Sequence, residues 1–186
     1  MIVRPATEAD APALAAIYGD AVLNGFGTFE EAAPSPADMD SRRRAVQEMG
    51  LPYLVAETDG PEGKRVLGFA YAGPFRPRAA YRYTLEDSVY VSPDAKGQGV
   101  GRAVLTEVIA ACEALGVRQL MAVIGDSGNA GSIGLHRSLG FEQTGVGRSV
   151  GFKHGRWVDI VHMQKPLNGG DSAPPDPAGG IALSGH

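Results

Sequence analysis

The sequence predicts an α/β fold: a mixed, mostly antiparallel sheet with helices on both faces. Three observations predict it. Apolar residues alternate in several short runs and recur at intervals of three and four in others. The runs follow the order β-α-α-β-β-β-α-β-α-β-β, which is neither a regular βαβ alternation nor an all-β chain. All of them fall within residues 1–167, a length that suits one domain.

The elements follow in order. Residues 2–5 alternate and end at Pro5, as a short edge strand does. Thr7 suits the cap of a helix whose Ala13, Leu14, Ile17, Tyr18 and Val22 form one apolar stripe. A loop over 25–36 contains G-F-G-T-F, and Ser35-Pro36 opens a second helix with proline at its first position. Strands over 53–57 and 66–72 flank a turn at Asp59–Gly63 and read as an antiparallel hairpin. After a loop over 73–78 comes a long strand, 82–91. A helix over 99–115 buries Val104, Leu105, Val108, Ile109 and Cys112 and stops at Gly116. A buried strand at 120–124, a helix over 129–138 and a closing pair of strands, 141–150 and 157–164, complete the domain. Residues 168–186 are rich in Gly, Pro, Ser and Asp, which predicts a disordered tail.

The chain has 186 residues, 44% hydrophobic and 20% charged, as soluble globular proteins do. A net charge of −4 argues against nonspecific nucleic-acid binding. The single cysteine, Cys112, excludes an internal disulfide and agrees with a reducing cytoplasm. The N-terminal segment has no apolar core of a leader, and no run reaches the roughly 18 apolar residues of a membrane helix. A cytoplasmic protein without membrane or nucleic-acid partners is expected.

The richest stretch is V-Y-V-S-P-D-A-K-G-Q-G-V-G-R, residues 89–102. A strand, a glycine-rich turn and a helix start follow one another there. Main-chain N–H groups without side chains in the way can converge on phosphate oxygens, and the helix N-terminus adds partial positive charge. The dinucleotide pattern GxGxxG after a first strand is absent, as is the acid about 20 residues further on. A Walker loop would end G-K-[ST], but Gly101-Arg102 stands there.

Three other groups carry chemistry. Asn129, Ser132 and His136 share one helical face. Glu86 lies on the strand feeding the glycine turn. With regular alternation Glu86, Ser88 and Tyr90 share one face, and Asp87, Val89 and Val91 the other. An acid in a central strand is costly unless it faces a cleft, and on this ground Asp87 serves as well as Glu86. Arg76 and Arg78, held by prolines, suit a carboxylate or phosphinate through bidentate contacts, or form an exposed basic loop.

Lys96-Gly97-Gln98-Gly99-Val100-Gly101 resembles the acyl-CoA motif of the GCN5-related N-acetyltransferase (GNAT) family, Gln/Arg-x-x-Gly-x-Gly/Ala, with lysine at the first position. The order of elements over residues 1–166 is similar too. The resemblance implies acetyl-CoA as co-substrate, no metal, and dimerisation through the sheet. It implies that Lys96 to Arg102 bind the diphosphate and that Val89, Tyr90 and Val91 contact the pantetheine through the main chain. Asn129 and Ser132 would lie beside that arm.

Within the family the chain is most similar to the phosphinothricin and methionine sulfoximine acetyltransferases. This branch has a histidine matching His136 where a tyrosine acid is common, and a glutamate matching Glu86 as base. An arginine matching Arg78 contacts the acceptor, with Arg76 beside it. Phe26, Thr28 and Phe29, in G-F-G-T-F-E-E, match its pocket lining, and G-F-K-H-G-R-W-V-D at 151–159 matches its closing hairpin.

The implied reaction is direct transfer of an acetyl group to the α-amine of a small amino-acid analogue. Glu86 would take the ammonium proton, a main-chain N–H near 89–91 would hold the thioester oxygen, and His136 would protonate the thiolate or orient a water. The rival readings are another acceptor (a peptide N-terminus, a polyamine or an aminoglycoside), a non-catalytic acyl-CoA-binding module, and a nucleotide binder.

Overall fold

The computed structural model describes residues 1–60 and 63–182. Residues 61 and 62 of the expected Asp59–Gly63 turn lie outside the described residues, as do 183–186. The observed elements are β1 (Ile2–Pro5), α1 (Ala11–Asn24), α2 (Pro36–Glu48), β2 (Tyr53–Gly60), β3 (Gly63–Pro74), β4 (Thr84–Val91), α3 (Val100–Ala114), β5 (Gln119–Gly125), α4 (Ala130–Ser138), β6 (Glu142–Lys153) and β7 (Arg156–Pro166). The expected order stands. Thr7, however, precedes a short 3-10 turn at Glu8–Asp10, and α1 starts only at Ala11.

Among the described residues seven strands form one sheet in the order β1-β2-β3-β4-β5-β7-β6. Neighbours are antiparallel except β4 and β5, which run parallel. The mostly antiparallel sheet follows from its hairpins. The one parallel pair needs a crossover, and α3 supplies it.

Alternation along the strands divides the core in two. Leu85, Ala70, Ala72, Leu120 and Ala122 pack on one face with Val104, Leu105 and Val108 of α3. Phe69, Tyr53 and Val55 pack on the other with Leu14, Ile17 and Val22 of α1. Val89 and Val91 join the first cluster and Tyr90 the second, so β4 alternates as its sequence predicts. No helix among the described residues is long and apolar enough to cross a membrane.

The expected disordered tail is corrected over 168–182. Ile181 is buried in the α3-side core, and its N–H donates to the carbonyl of Arg82 at 2.9 Å. The Asn168 amide donates to the carbonyls of Glu113 and Val117, and the Arg118 side chain to those of Gly170 and Ala173. Composition predicted too little to bury. One isoleucine together with main-chain hydrogen bonds nevertheless anchors the segment across the ends of α3 and β4.

Candidate active site

β4 and β5 pair from Thr84 and Gln119 as far as Asp87 and Ala122, where the pairing stops. β4 runs on to Val91, held by β3, and β5 runs on to Gly125, held by β7. The strands thus part in a fork. Main-chain groups of 88–91 that turn towards β5 have no partner strand there among the described residues. A cleft of about 770 Å³ opens at the fork, walled by both strand ends, the 95–102 turn, one side of α4 and Gly25–Gly27.

The glycine turn forms one end of the cleft. Gly97 and Gly99 have φ of 77° and 81°, a conformation that residues with a Cβ rarely adopt. Gly99 precedes the first turn of α3, and no side chain caps that turn among the described residues. Its N–H groups are left for a ligand, with exposed Lys96 and Arg102 on the same wall. Uncapped N–H groups at a 15-residue helix with two cations beside them fit an organic diphosphate, as in a CoA thioester. The Gln98 side-chain amide donates to the carbonyl of Asp94 at 2.8 Å, and Gln98 does not line the cleft.

α4 supplies the opposite wall. The Asn129 side chain accepts from the N–H of Ser132 at 3.1 Å and donates to the carbonyl of Gly125 at 3.2 Å. Asn129 and Ser132 both line the cleft as expected, but the asparagine amide is engaged by the main chain as a helix cap.

His136 lines the cleft and is 2% exposed. Its Nδ1 lies 2.8 Å from the carbonyl of Ser132, and its Nε2 3.0 Å from Oδ2 of Asp87. A carbonyl only accepts, so Nδ1 must carry a hydrogen, and Nε2 shares a second proton with the carboxylate. Burial lowers the pKa of the imidazole, but the Asp87 hydrogen bond and charge outweigh it and leave the value raised. Both ring nitrogens are engaged. Of the two expected roles, protonating a thiolate or orienting a water, neither has a ring nitrogen free of a protein partner in this geometry. Asp87 is also buried, and its Oδ1 has no partner among the described residues.

Glu86 points to the other face of β4, opposite Gly73 of β3 and Met121 of β5. It is half-buried, and burial raises its pKa; Arg76 pulls it down and Asp87 pushes it up. Arg76 thus lies within electrostatic reach of Glu86, with its guanidinium over the Phe75 ring at 4.4 Å. Arg78 is exposed at the start of the next short turn.

The 25–31 loop brings Phe26 to the cleft wall. Thr28 bonds the Tyr18 hydroxyl at 2.9 Å, and Phe29 sits over Gly151 of β6. Neither Thr28 nor Phe29 lines the cleft; they anchor the loop behind it.

Sequence reasoning missed three participants. Asp87 enters the sequence reading only as a rival base, on the strand face of Val89 and Val91, and the structure shows that this face meets α4. Lys153, inside the hairpin motif, reaches the carbonyl of Thr28. Gly125 lies under the loop: a Cβ there would stand 1.9 Å from the carbonyl oxygen of Phe26. No local pattern marks the last two.

The profile of the acetyltransferase (GNAT) family matches residues 20–141. The chain belongs to this family and is an N-acetyltransferase. It is 55% identical over 174 residues to the phosphinothricin N-acetyltransferase of Alcaligenes faecalis, covering 94% of this chain and 86% of that one. It is 44% identical over 177 residues to an L-methionine sulfoximine/L-methionine sulfone acetyltransferase of Pseudomonas aeruginosa, covering 92% and 98%. Among solved structures, a phosphinothricin acetyltransferase from Sinorhizobium meliloti in complex with AcCoA superposes with a TM-score of 0.89. It has 46% identity, with 96% of this chain and 94% of that chain covered.

Proposed function

We propose that this enzyme transfers the acetyl group of acetyl-CoA to the α-amine of a small anionic amino-acid analogue such as phosphinothricin or methionine sulfoximine, with Glu86 as the base. The observation that carries this reading is the fork. The cleft passes between the parted strands, from the α3/α4 side at Gly101, Ser132 and His136 to the α1 side at Ile17, Ala21 and Tyr90, and Glu86, one residue before the last paired position, lies on the α1 face with Tyr90. A thioester threaded between the strands from the diphosphate turn meets an amine arriving on the Glu86 face.

The residues divide the work as follows. The Lys96–Arg102 turn binds the diphosphate, and the unpaired main chain of 89–91 holds the arm and the thioester oxygen. Glu86 accepts a proton from the substrate ammonium, and its raised pKa makes it a better base for that task. The amine nitrogen then bonds the acyl carbon, the C–S bond breaks, the nitrogen, cationic after attack, gives its second proton to solvent in the cleft, and the departing thiolate takes up a proton from that solvent. Arg76 and Arg78 provide positive charge near the acceptor's anionic group. His136 acts as a positioning residue that fixes the fork through Asp87.

The relatives' named substrates support the acceptor class. A cytoplasmic homodimer completes the reading, and exposed Val150, Phe152 and Trp157 on the β6–β7 hairpin give the apolar surface a partner would cover. Release of free thiol from acetyl-CoA is the test, run with phosphinothricin, methionine sulfoximine, methionine sulfone, a peptide and a polyamine. The reading requires turnover with one of the first three at a kcat/KM well above that of the last two. Preference for the peptide or the polyamine would overturn it.

A further inference from the structure

Lys153 is 3% exposed, at the last position of β6. Its Nζ donates to the carbonyl of Thr28 at 2.7 Å, across 125 residues of sequence. Burial lowers its pKa, against the pull of Glu31 and Glu30. A buried ammonium is expensive, and an apolar side chain of similar length would fill the space at less cost. Holding the loop is what the lysine does there and a methionine cannot.

The tie has companions. Gly125 and Gly151 leave room for the Phe26 carbonyl and for the Phe29 ring, which a Cβ on Gly151 would meet at 2.9 Å. Arg156 lies over the Phe26 ring at 3.9 Å and is ion-paired with Asp126. The Tyr18 hydroxyl donates to Glu30 at 2.8 Å from the α1 side. The 25–31 loop is thus strapped from α1 across the end of β5 to the β6–β7 hairpin, and its Gly25, Phe26 and Gly27 wall the fork end of the cleft.

The geometry points to Lys153 as a positioning residue that sets acceptor specificity: by tying the strap down, it closes the fork end around a small amine and denies space to a polypeptide. This rests on the acetyl-transfer reading above and deepens it. Lys153 does not meet the reacting atoms. It acts through the Thr28 main chain on the wall that Phe26 presents.

The test compares the wild type with Lys153→Met, Lys153→Arg and Gly151→Ala, using phosphinothricin as the small acceptor and a tripeptide as the large one. Lys153→Met should raise the phosphinothricin KM at least about tenfold, as loss of a charged hydrogen bond that shapes the site would. The KM for acetyl-CoA should stay within about twofold, and the ratio of tripeptide to phosphinothricin kcat/KM should rise. Lys153→Arg keeps a donor and should recover most of the acceptor KM. Gly151→Ala lifts Phe29 without touching the buried lysine and should shift the same constant, so the idea stays testable if Lys153→Met does not fold. An unchanged acceptor KM in Gly151→Ala, or a fall in kcat with both KM values unmoved in Lys153→Met, overturns the proposal. If the wild type acetylates neither acceptor, the functional reading fails instead. Amide exchange over 25–31 then still tests the tie, and must be faster in Lys153→Met than in the wild type.

Discussion

Nε2 of His136 lies 3.0 Å from Oδ2 of Asp87, and this buried pair joins α4 to β4 at the last residue before β4 and β5 separate. The pairing of β4 with β5 ends where the imidazole takes hold. Separation of the strands opens the cleft, and the pair lies where it begins.

His136→Gln should therefore lower stability by about 3 kcal/mol near pH 6, since it leaves a buried carboxylate without its charged partner. The pH dependence has a definite sign. The folded pKa of His136 is raised above 6.5, so its contribution is complete below that value and is lost as pH rises through the folded value. Urea unfolding of wild type and variant should show a gap that narrows from pH 6 upward. A gap that widens would mean the pair is not imidazolium and carboxylate.

Glu86→Gln should cut kcat by about 10²–10⁴-fold with the acetyl-CoA KM little changed. In the wild type, activity should fall as pH drops through the raised pKa of Glu86. Arg76→Ala removes a charge that lowers this pKa, so the acid limb of the kcat/KM profile should move to higher pH. A limb that stays in place would separate Arg76 from the base.

Gly99→Ala puts a Cβ on a residue with φ of 81°, in the left-handed region, at a cost of roughly 1–2 kcal/mol. Relief of that strain turns the first N–H groups of α3 away from the diphosphate. Titration calorimetry should show weaker acetyl-CoA binding, with the acceptor KM nearly unchanged.

Ile181→Ala should lower the unfolding free energy by about 2 kcal/mol, because the side chain is buried against the α3-side core. An unchanged thermal midpoint would return the segment after Leu167 to the status of a loose tail.

Much of the site was legible because it is local. The Lys96–Arg102 turn needs only consecutive residues: glycines that admit positive φ, and a helix start without a capping side chain. Strand alternation assigned Glu86 and Asp87 to opposite faces, and helical spacing put Asn129, Ser132 and His136 on one. What those side chains then do was not legible. Asn129, expected beside a ligand arm, lines the cleft, and no local pattern foretold that its amide also caps α4. His136 was expected to donate a proton or to orient a water, and its two nitrogens are engaged by Ser132 and Asp87.

By itself the sequence determined the order of the elements, the mostly antiparallel sheet and the glycine turn before α3. Each depends on periodicity or on backbone conformations set within a few residues. The tertiary structure alone decided the fork, the Asp87–His136 pair 49 residues apart, the Lys153–Thr28 tie and the seating of Ile181. These depend on burial and on which lone pairs and N–H groups meet across the fold. A charged or polar residue carries no local mark of the partner that will satisfy it, so its role appears only when the chain has closed around it.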